Sequence, residues 1–296
     1  MMKALYSGVS GMRSHQTKMD VIGNNIANVN TYGYKSQRVT FRDVYYQQLK
    51  SPGGASADRG GINPSQVGYG AQVGSVDTIH TISGWAPTNK PTDVFINGEG
   101  YFVVETSTGE ELFTRLGALG FDSEGNLVDV NGSRVKGWNE GDITKDTDGN
   151  VTVEGDPEAI TIKPAADVKY TNITINPDGT ITGIYNNQAN DADAKNDTIV
   201  TLGLVAVANV ENQDALVLEG NSYYRRSNNT GNITFEIPGS KGSGTGALVA
   251  GALEMSNVDL ANEFSDMIMT QRGFQANTKI ISVVDQMLEE LVNLKR

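Results

Sequence analysis

A seven-residue apolar repeat at each end of the chain, with turn-punctuated sequence between, constrains the fold more than any other feature. From about Ala4 to Val29, Leu5, Met12, Met19 and Ile26 recur every seventh position, with Val9 and Ile22 beside them. From about Asn257 to Leu294 the same period returns in Leu260, Met267, Phe274, Ile281 and Leu288, widened by Phe264, Ile268, Val284 and Leu291. A period near 3.5 to 3.6 keeps one apolar stripe on one side of a helix. The two stripes match in period across more than two hundred residues. They suit each other, or copies of themselves in neighbouring subunits. That is the pattern of an assembly protein rather than of a catalyst.

Between the helices the sequence reads as β-structure. Turn signals recur at Asn97-Gly98, Glu124-Gly125-Asn126, Asn131-Gly132, Asp148-Gly149-Asn150 and Asp178-Gly179. Short β-rich runs between such turns predict antiparallel hairpins. Alternation is clearest in 72–82 and 94–104, and the longer apolar run 198–210 reads as a central strand. Gly33 suits the end of the first helix. Two Gly-rich stretches, 51–61 and 239–246, read as flexible loops, the second as a hinge leading back to the C-terminal helix. The expected fold is therefore α+β: paired terminal helices (1–30 and 257–296) forming a coiled-coil-like inner layer, a linker or extended segment over 31–72, and a mainly antiparallel outer domain over 73–246. Within that domain, 139–196 reads as a reduced extra domain or an insertion.

Composition narrows function by exclusion. A net charge of -12 opposes nucleic-acid binding, which needs clustered Lys and Arg. The absence of Cys removes disulfides and thiolate metal sites. No stretch approaches the roughly 18 to 20 apolar residues that span a bilayer, so no membrane insertion is expected. The start has no continuous apolar core before Arg13 and does not read as a secretory signal. The expectation is that the protein stays inside or leaves by a route that reads an uncleaved N-terminus.

No residue set nominates a catalytic centre or a cofactor. His15 and His80 are the two histidines, on different elements; His15 reads as a polar helix-surface residue and His80 as a half-exposed strand residue. Asp146-Thr147-Asp148-Gly149-Asn150 resembles part of a calcium loop. Aligned on Gly149, however, the loop puts Thr144 first and Gly155 last, and the bidentate Glu is missing. The Asp122–Asn126 run likewise reads as a turn. Residues 239–244 lack the spacing of a phosphate loop.

Four Asn (Asn24, Asn25, Asn28 and Asn30) crowd the end of the first helix, where Asn is a poor helix former. One reading is capping and fraying. The other is a hydrogen-bonding ladder that fixes register with a neighbouring helix, with Gln271, Arg272, Gln275 and Asn277 offering the complementary groups. The sequence leaves both open.

The segments 7–12 (SGVSGM) and 23–35 (GNNIANVNTYGYK) resemble the N-terminal signature of bacterial flagellar rod and hook proteins. The segments 253–260 (LEMSNVDL) and 270–277 (TQRGFQAN) resemble the matching C-terminal signature. Both ends match in the expected order. Within the family, residues 59–70, Gly137-Trp138, Phe274-Gln275 and the ending 290–296 look like the hook version. The 45–49 run (YYQQL) and the short length also suit the distal rod protein. The resemblance implies a non-enzymatic subunit that forms a helical homopolymer and is exported without a cleaved signal by the flagellar type III apparatus. It also implies rod, hook-cap and hook–filament junction proteins as partners, in an extracellular appendage. From a different class, a secreted glycan-binding β-protein would need an aromatic patch, for which Trp85 and Trp138 give little support.

Overall fold

The computed structural model describes residues 2–54, 60–145, 151–153, 155–162, 168–187, 197–240 and 244–294. The two long helices are present: α1 spans Met2–Ala27 and α2 spans Leu260–Asn293. Asp259 caps α2, its carboxylate accepting from the backbone N–H groups of Ala261 and Asn262. That satisfies donors which a helix start otherwise leaves orphaned. Between the helices nearly all regular structure is antiparallel β.

Contacts divide the chain into two units. The first contains Met1–Val29, Ser36–Ile79 and Val258–Arg296. The stretch 31–72, expected as a linker or extended segment, carries strands. Gln37–Asp43 pairs with Ala71–Thr78, and Tyr46–Lys50 pairs with Ser65–Gly68. The polar, exposed character of these ribbons hid them in the sequence. Only residues 55–59 of the Gly-rich loop lie outside the described part.

The second unit contains Asn30–Lys35 and His80–Asn257. Its largest sheet runs in the order Val168–Ile175, Thr180–Asn187, Ile199–Val205, Arg134–Asn139, Tyr101–Glu105, Glu111–Thr114, Tyr223–Arg225 and Val217–Gly220. Side chains alternate across a strand, and Tyr101–Glu105 shows the consequence. Phe102 and Val104 enter one core with Leu127, Val135 and Ile181. Tyr101 and Val103 enter a second core with Phe113 and Tyr224. A strand buried on both faces reads as a continuous apolar run rather than an alternating one.

Several local expectations change. The Glu124-Gly125, Asn131-Gly132 and Asp178-Gly179 turns do join hairpins. Asn97-Gly98 does not. Val94–Asn97 pairs with Ala247–Ala250, and a Cβ on Gly98 would lie 2.5 Å from the Gly246 Cα. Glycine is needed there because two backbones approach closely. The apolar run 198–210 is two strands, Ile199–Val205 and Val207–Val210, in different pairings. The described part of 139–196 joins the main sheet through Thr180–Asn187 and is grouped with the second unit. The calcium-like run 146–150 lies outside the described residues. The Gly-rich 239–246 stretch does not lead straight into α2: Ala247–Ala250 and Ala252–Glu254 intervene, each paired to another strand.

Candidate assembly surface on the helical unit

The two helices pack antiparallel. A Cβ on Gly8 would lie 3.3 Å from Ile281, one on Gly11 2.8 Å from the Asn277 amide, and one on Gly273 2.7 Å from the His15 ring. Lys18 pairs with Asp266 at 3.3 Å, and Asn25 donates to Glu263 at 2.9 Å. Position numbers rise on one helix as they fall on the other. Small residues let the helix backbones approach. Gly inside a helix costs about 1 kcal/mol relative to Ala, so Gly8, Gly11 and Gly273 are explained by close packing rather than by propensity. The apolar period does not single them out; internal glycines within a helical pattern are the signal that would.

Of the expected seam, Ile22 is buried, and Leu5, Val9, Met12, Met19 and Ile26 are half-buried. On α2 the covered face runs through Glu263, Met267, Thr270, Phe274, Asn277, Ile281, Val284 and Leu288, with Thr270 and Val284 the deepest. Their spacing alternates mainly between three and four, as a helix-facing stripe requires. Leu260 and Phe264 lie off that face and are 39% and 51% exposed.

A second apolar stripe remains uncovered. Met269, Ile280, Val283, Met287 and Leu291 are all more than 40% exposed. They recur at helical spacing on a different side of α2 from the residues that meet α1. An exposed apolar stripe of this kind is a candidate interaction surface.

The Asn cluster divides in two. Asn25 is 1% exposed. Its amide donates to the Gln37 carbonyl at 2.9 Å and to Glu263, and its oxygen accepts from the Gln37 N–H at 3.0 Å. It therefore ties α1 to a strand and to α2 within one chain. Glu263 lies partly buried beside Asn25, and burial raises its carboxyl above the usual range against the pull of that bond. Asn28 donates to both the backbone and side-chain oxygens of Asn24, as at a helix end. Asn24 and Asn30 are exposed. Gln271 and Arg272 are exposed too, with Arg272 donating to Gln275 at 3.3 Å. Asn277 sits instead against Gly11.

His15 packs edge-on to Phe41 with ring centroids 5.7 Å apart. Its Nδ1 is buried with no hydrogen-bond partner, and burial, with Lys18 adding, lowers its pKa. It is a helix-packing residue rather than a surface one. Among the described residues no group of three or more His, Asp or Glu gathers as a metal ion would require, and no helix is long and apolar enough to cross a membrane.

Three family descriptions match the chain in order. Flagella basal body rod protein covers residues 5–35, flagellar hook protein FlgE/F/G D1 domain covers 95–183, and flagellar basal body rod FlgEFG protein C-terminal covers 249–294. The chain is 41% identical to the flagellar basal-body rod protein FlgG of Bacillus subtilis over 296 residues, all of both chains. The chain belongs to the flagellar rod and hook axial protein family. It is also 32% identical to FlgG of Caulobacter vibrioides, covering 99% of this chain and 100% of that one. It is 29% identical to the flagellar hook protein FlgE of Borreliella burgdorferi, aligned end to end over 454 positions. The outermost matched segments contain most of α1 and all of α2, so the helices that meet in one unit are the parts the family shares at its ends.

Proposed function

We propose that the chain is a non-enzymatic, cofactor-free subunit that polymerises into the flagellar hook, the flexible tubular joint between rod and filament. The observation that carries the polymer is the second apolar stripe of α2. The first stripe is occupied by α1 of the same chain, so Met269, Ile280, Val283, Met287 and Leu291 are left for a neighbouring copy. Burying each large apolar residue contributes roughly 1.5 to 3 kcal/mol before ordering entropy is subtracted. Five such residues per subunit, repeated along a helical lattice, favour association. Head-to-tail contacts that do not close into a ring generate a continuous tube. The partners on this reading are further copies, the rod below, the hook cap and hook–filament junction proteins above, and the flagellar type III export apparatus. The subunit would act outside the cell. The hook assignment rests on the hook-like sequence of residues 59–70 and of Phe274-Gln275.

One observation favours a second reading, the distal rod. The rod relatives align end to end over 288 to 298 positions, whereas the hook relatives need 454 and 476. Those hook proteins therefore contain long stretches with no counterpart in this chain. Electron microscopy of basal bodies from a deletion strain separates the two. Complete rods without hooks are expected for a hook subunit, and truncated rods would assign the chain to the rod.

A further inference from the structure

The chain passes between its two units at four points, and the second unit receives it in three short segments: 30–35, 80–84 and 253–257. These segments are bonded to one another. The Gly33 N–H donates to the Glu254 carbonyl at 2.9 Å, and the Met255 N–H donates to the Gly84 carbonyl at 2.9 Å. The Ser83 hydroxyl donates to the Ser256 carbonyl at 2.9 Å. The Asn257 amide donates to the Thr81 hydroxyl at 3.1 Å.

At the centre stands an ion cluster with almost no solvent contact. The side chains of Lys35, Glu254 and Arg115 are each 1% exposed. The Lys35 ammonium reaches Glu254 Oε1 at 2.6 Å and the Thr81 carbonyl at 2.8 Å. Oε1 also accepts from the Ser83 N–H at 3.3 Å. The Lys35 side chain therefore touches both other segments, and the Glu254 carboxylate likewise bonds 30–35 through Lys35 and 80–84 through Ser83. Arg115 approaches Glu254 Oε2 at 3.7 Å, donates to the Gly98 carbonyl at 2.9 Å and lies 5.1 Å from the centre of the Tyr101 ring. A Cβ on Gly33 would meet the backbone of Arg115 and Leu116 at 3.0 to 3.3 Å, so segment 30–35 is seated directly on that strand end.

We propose that Lys35 is the pin of a three-segment root, a conformational device that makes the chain's passages into and out of the body open together or not at all. The charges argue for this. Two buried cations share one carboxylate, so Glu254 already has a counter-ion in Arg115 and does not need Lys35 for neutrality. Burial pushes the Lys35 amine below its usual range, with Glu254 pulling the other way. A second desolvated cation is a poor route to stability in itself. Its geometric effect is specific: if any one segment departs, a buried charge is left short of partners, and the free-energy penalty falls on the other two. Independent fraying becomes cooperative opening.

The test is native-state hydrogen exchange on the full chain, read at the Gly33, Ser83 and Met255 amides. In the unsubstituted protein these three should share one opening rate. Lys35→Met keeps the apolar stem and removes the charge and its bonds. The expected result is a joint loss of protection at all three amides, on the order of 100-fold, with the Val104 and Val135 strands unchanged. Loss at Gly33 alone, with Ser83 and Met255 unaffected, would overturn the pin. If Lys35→Met does not fold, Glu254→Gln gives a second reading. It keeps the shape and an acceptor but removes the shared charge, so the same joint loss is expected. Unchanged or separately altered protection in that variant would equally overturn the proposal.

Discussion

At the residue scale the most informative titratable group is His80, which sequence alone placed as a half-exposed strand residue. It lies just beyond the strand Ala71–Thr78, and its Nδ1 is 2.8 Å from the Tyr101 hydroxyl. Its ring stands 5.7 Å from that of Tyr224. Burial lowers its pKa to about 4, with Lys35 and Arg115 adding to the effect and Asp214 opposing it. A folded pKa below the unfolded 6.5 means that the unfolded chain binds the proton more readily. The associated stability is therefore full above pH 6.5 and is lost as pH falls toward 4. The full shift corresponds to about 3 kcal/mol, and the partial solvent access of the ring reduces that to about 2 kcal/mol. Denaturant unfolding of wild type and His80→Gln between pH 7 and pH 4 should show this component in wild type only; parallel curves would remove His80 as its source. Nothing in the sequence separated His80 from His15, because burial here comes from strands more than twenty and more than a hundred residues away. Lys35 and Glu254 were equally silent: each stood inside a family-like segment, but their pairing across 219 positions is a property of the fold.

At the element scale, the long helices were legible because a sustained seven-residue apolar repeat lines up on one side of a helix and scatters over both faces of a strand. Their predicted limits, 4–29 and 257–294, differ from Met2–Ala27 and Leu260–Asn293 by two or three residues at most ends. Which face pairs was only partly legible. Leu260 and Phe264 fit the period but lie off the covered face, where Glu263 and Thr270 are used instead. Polar residues entered that face because Asn25 and the Thr270 hydroxyl, bonded to the Asp266 carbonyl, have satisfied partners there. The glycines give a paired prediction. Gly273→Val should cost about 1 to 3 kcal/mol, because the new Cβ would collide with the His15 ring. Gly23→Ala should stabilise α1 by about 0.5 to 1 kcal/mol, since nothing lies within 4 Å of that position. Guanidinium unfolding followed by helical circular dichroism reads both signs, and a neutral Gly273→Val would mean that the close helix crossing is not required. Hairpin turns were well predicted at Glu124-Gly125, Asn131-Gly132 and Asp178-Gly179, where consecutive strands pair. They failed at Asn97-Gly98 because the flanking strand pairs with a segment about 150 residues later, which turn chemistry does not encode.

At the scale of the whole molecule, the chain crosses between its two units beside the bonded segments 30–35, 80–84 and 253–257 of the second unit, and not within the Gly-rich stretches 51–61 and 239–246. One unit holds both helices together with the ribbons within 37–78, and the other holds the remaining β-structure. The assembly surface shifts in the same way. Met267 and Ile281, natural choices from the heptad alone, lie on the covered face, so Met267→Asp should destabilise the helix pair itself as well as any polymer. The exposed stripe is the cleaner probe, because charges placed there remain solvated in the monomer. The decisive measurement is in vitro polymerisation of purified Ile280→Asp/Met287→Asp protein, followed by sedimentation and electron microscopy, with circular dichroism and unfolding recorded on the same sample. The expected product is a monomer whose helicity and unfolding midpoint match wild type and which forms no tubes. Ordered tubes indistinguishable from wild type would contradict it.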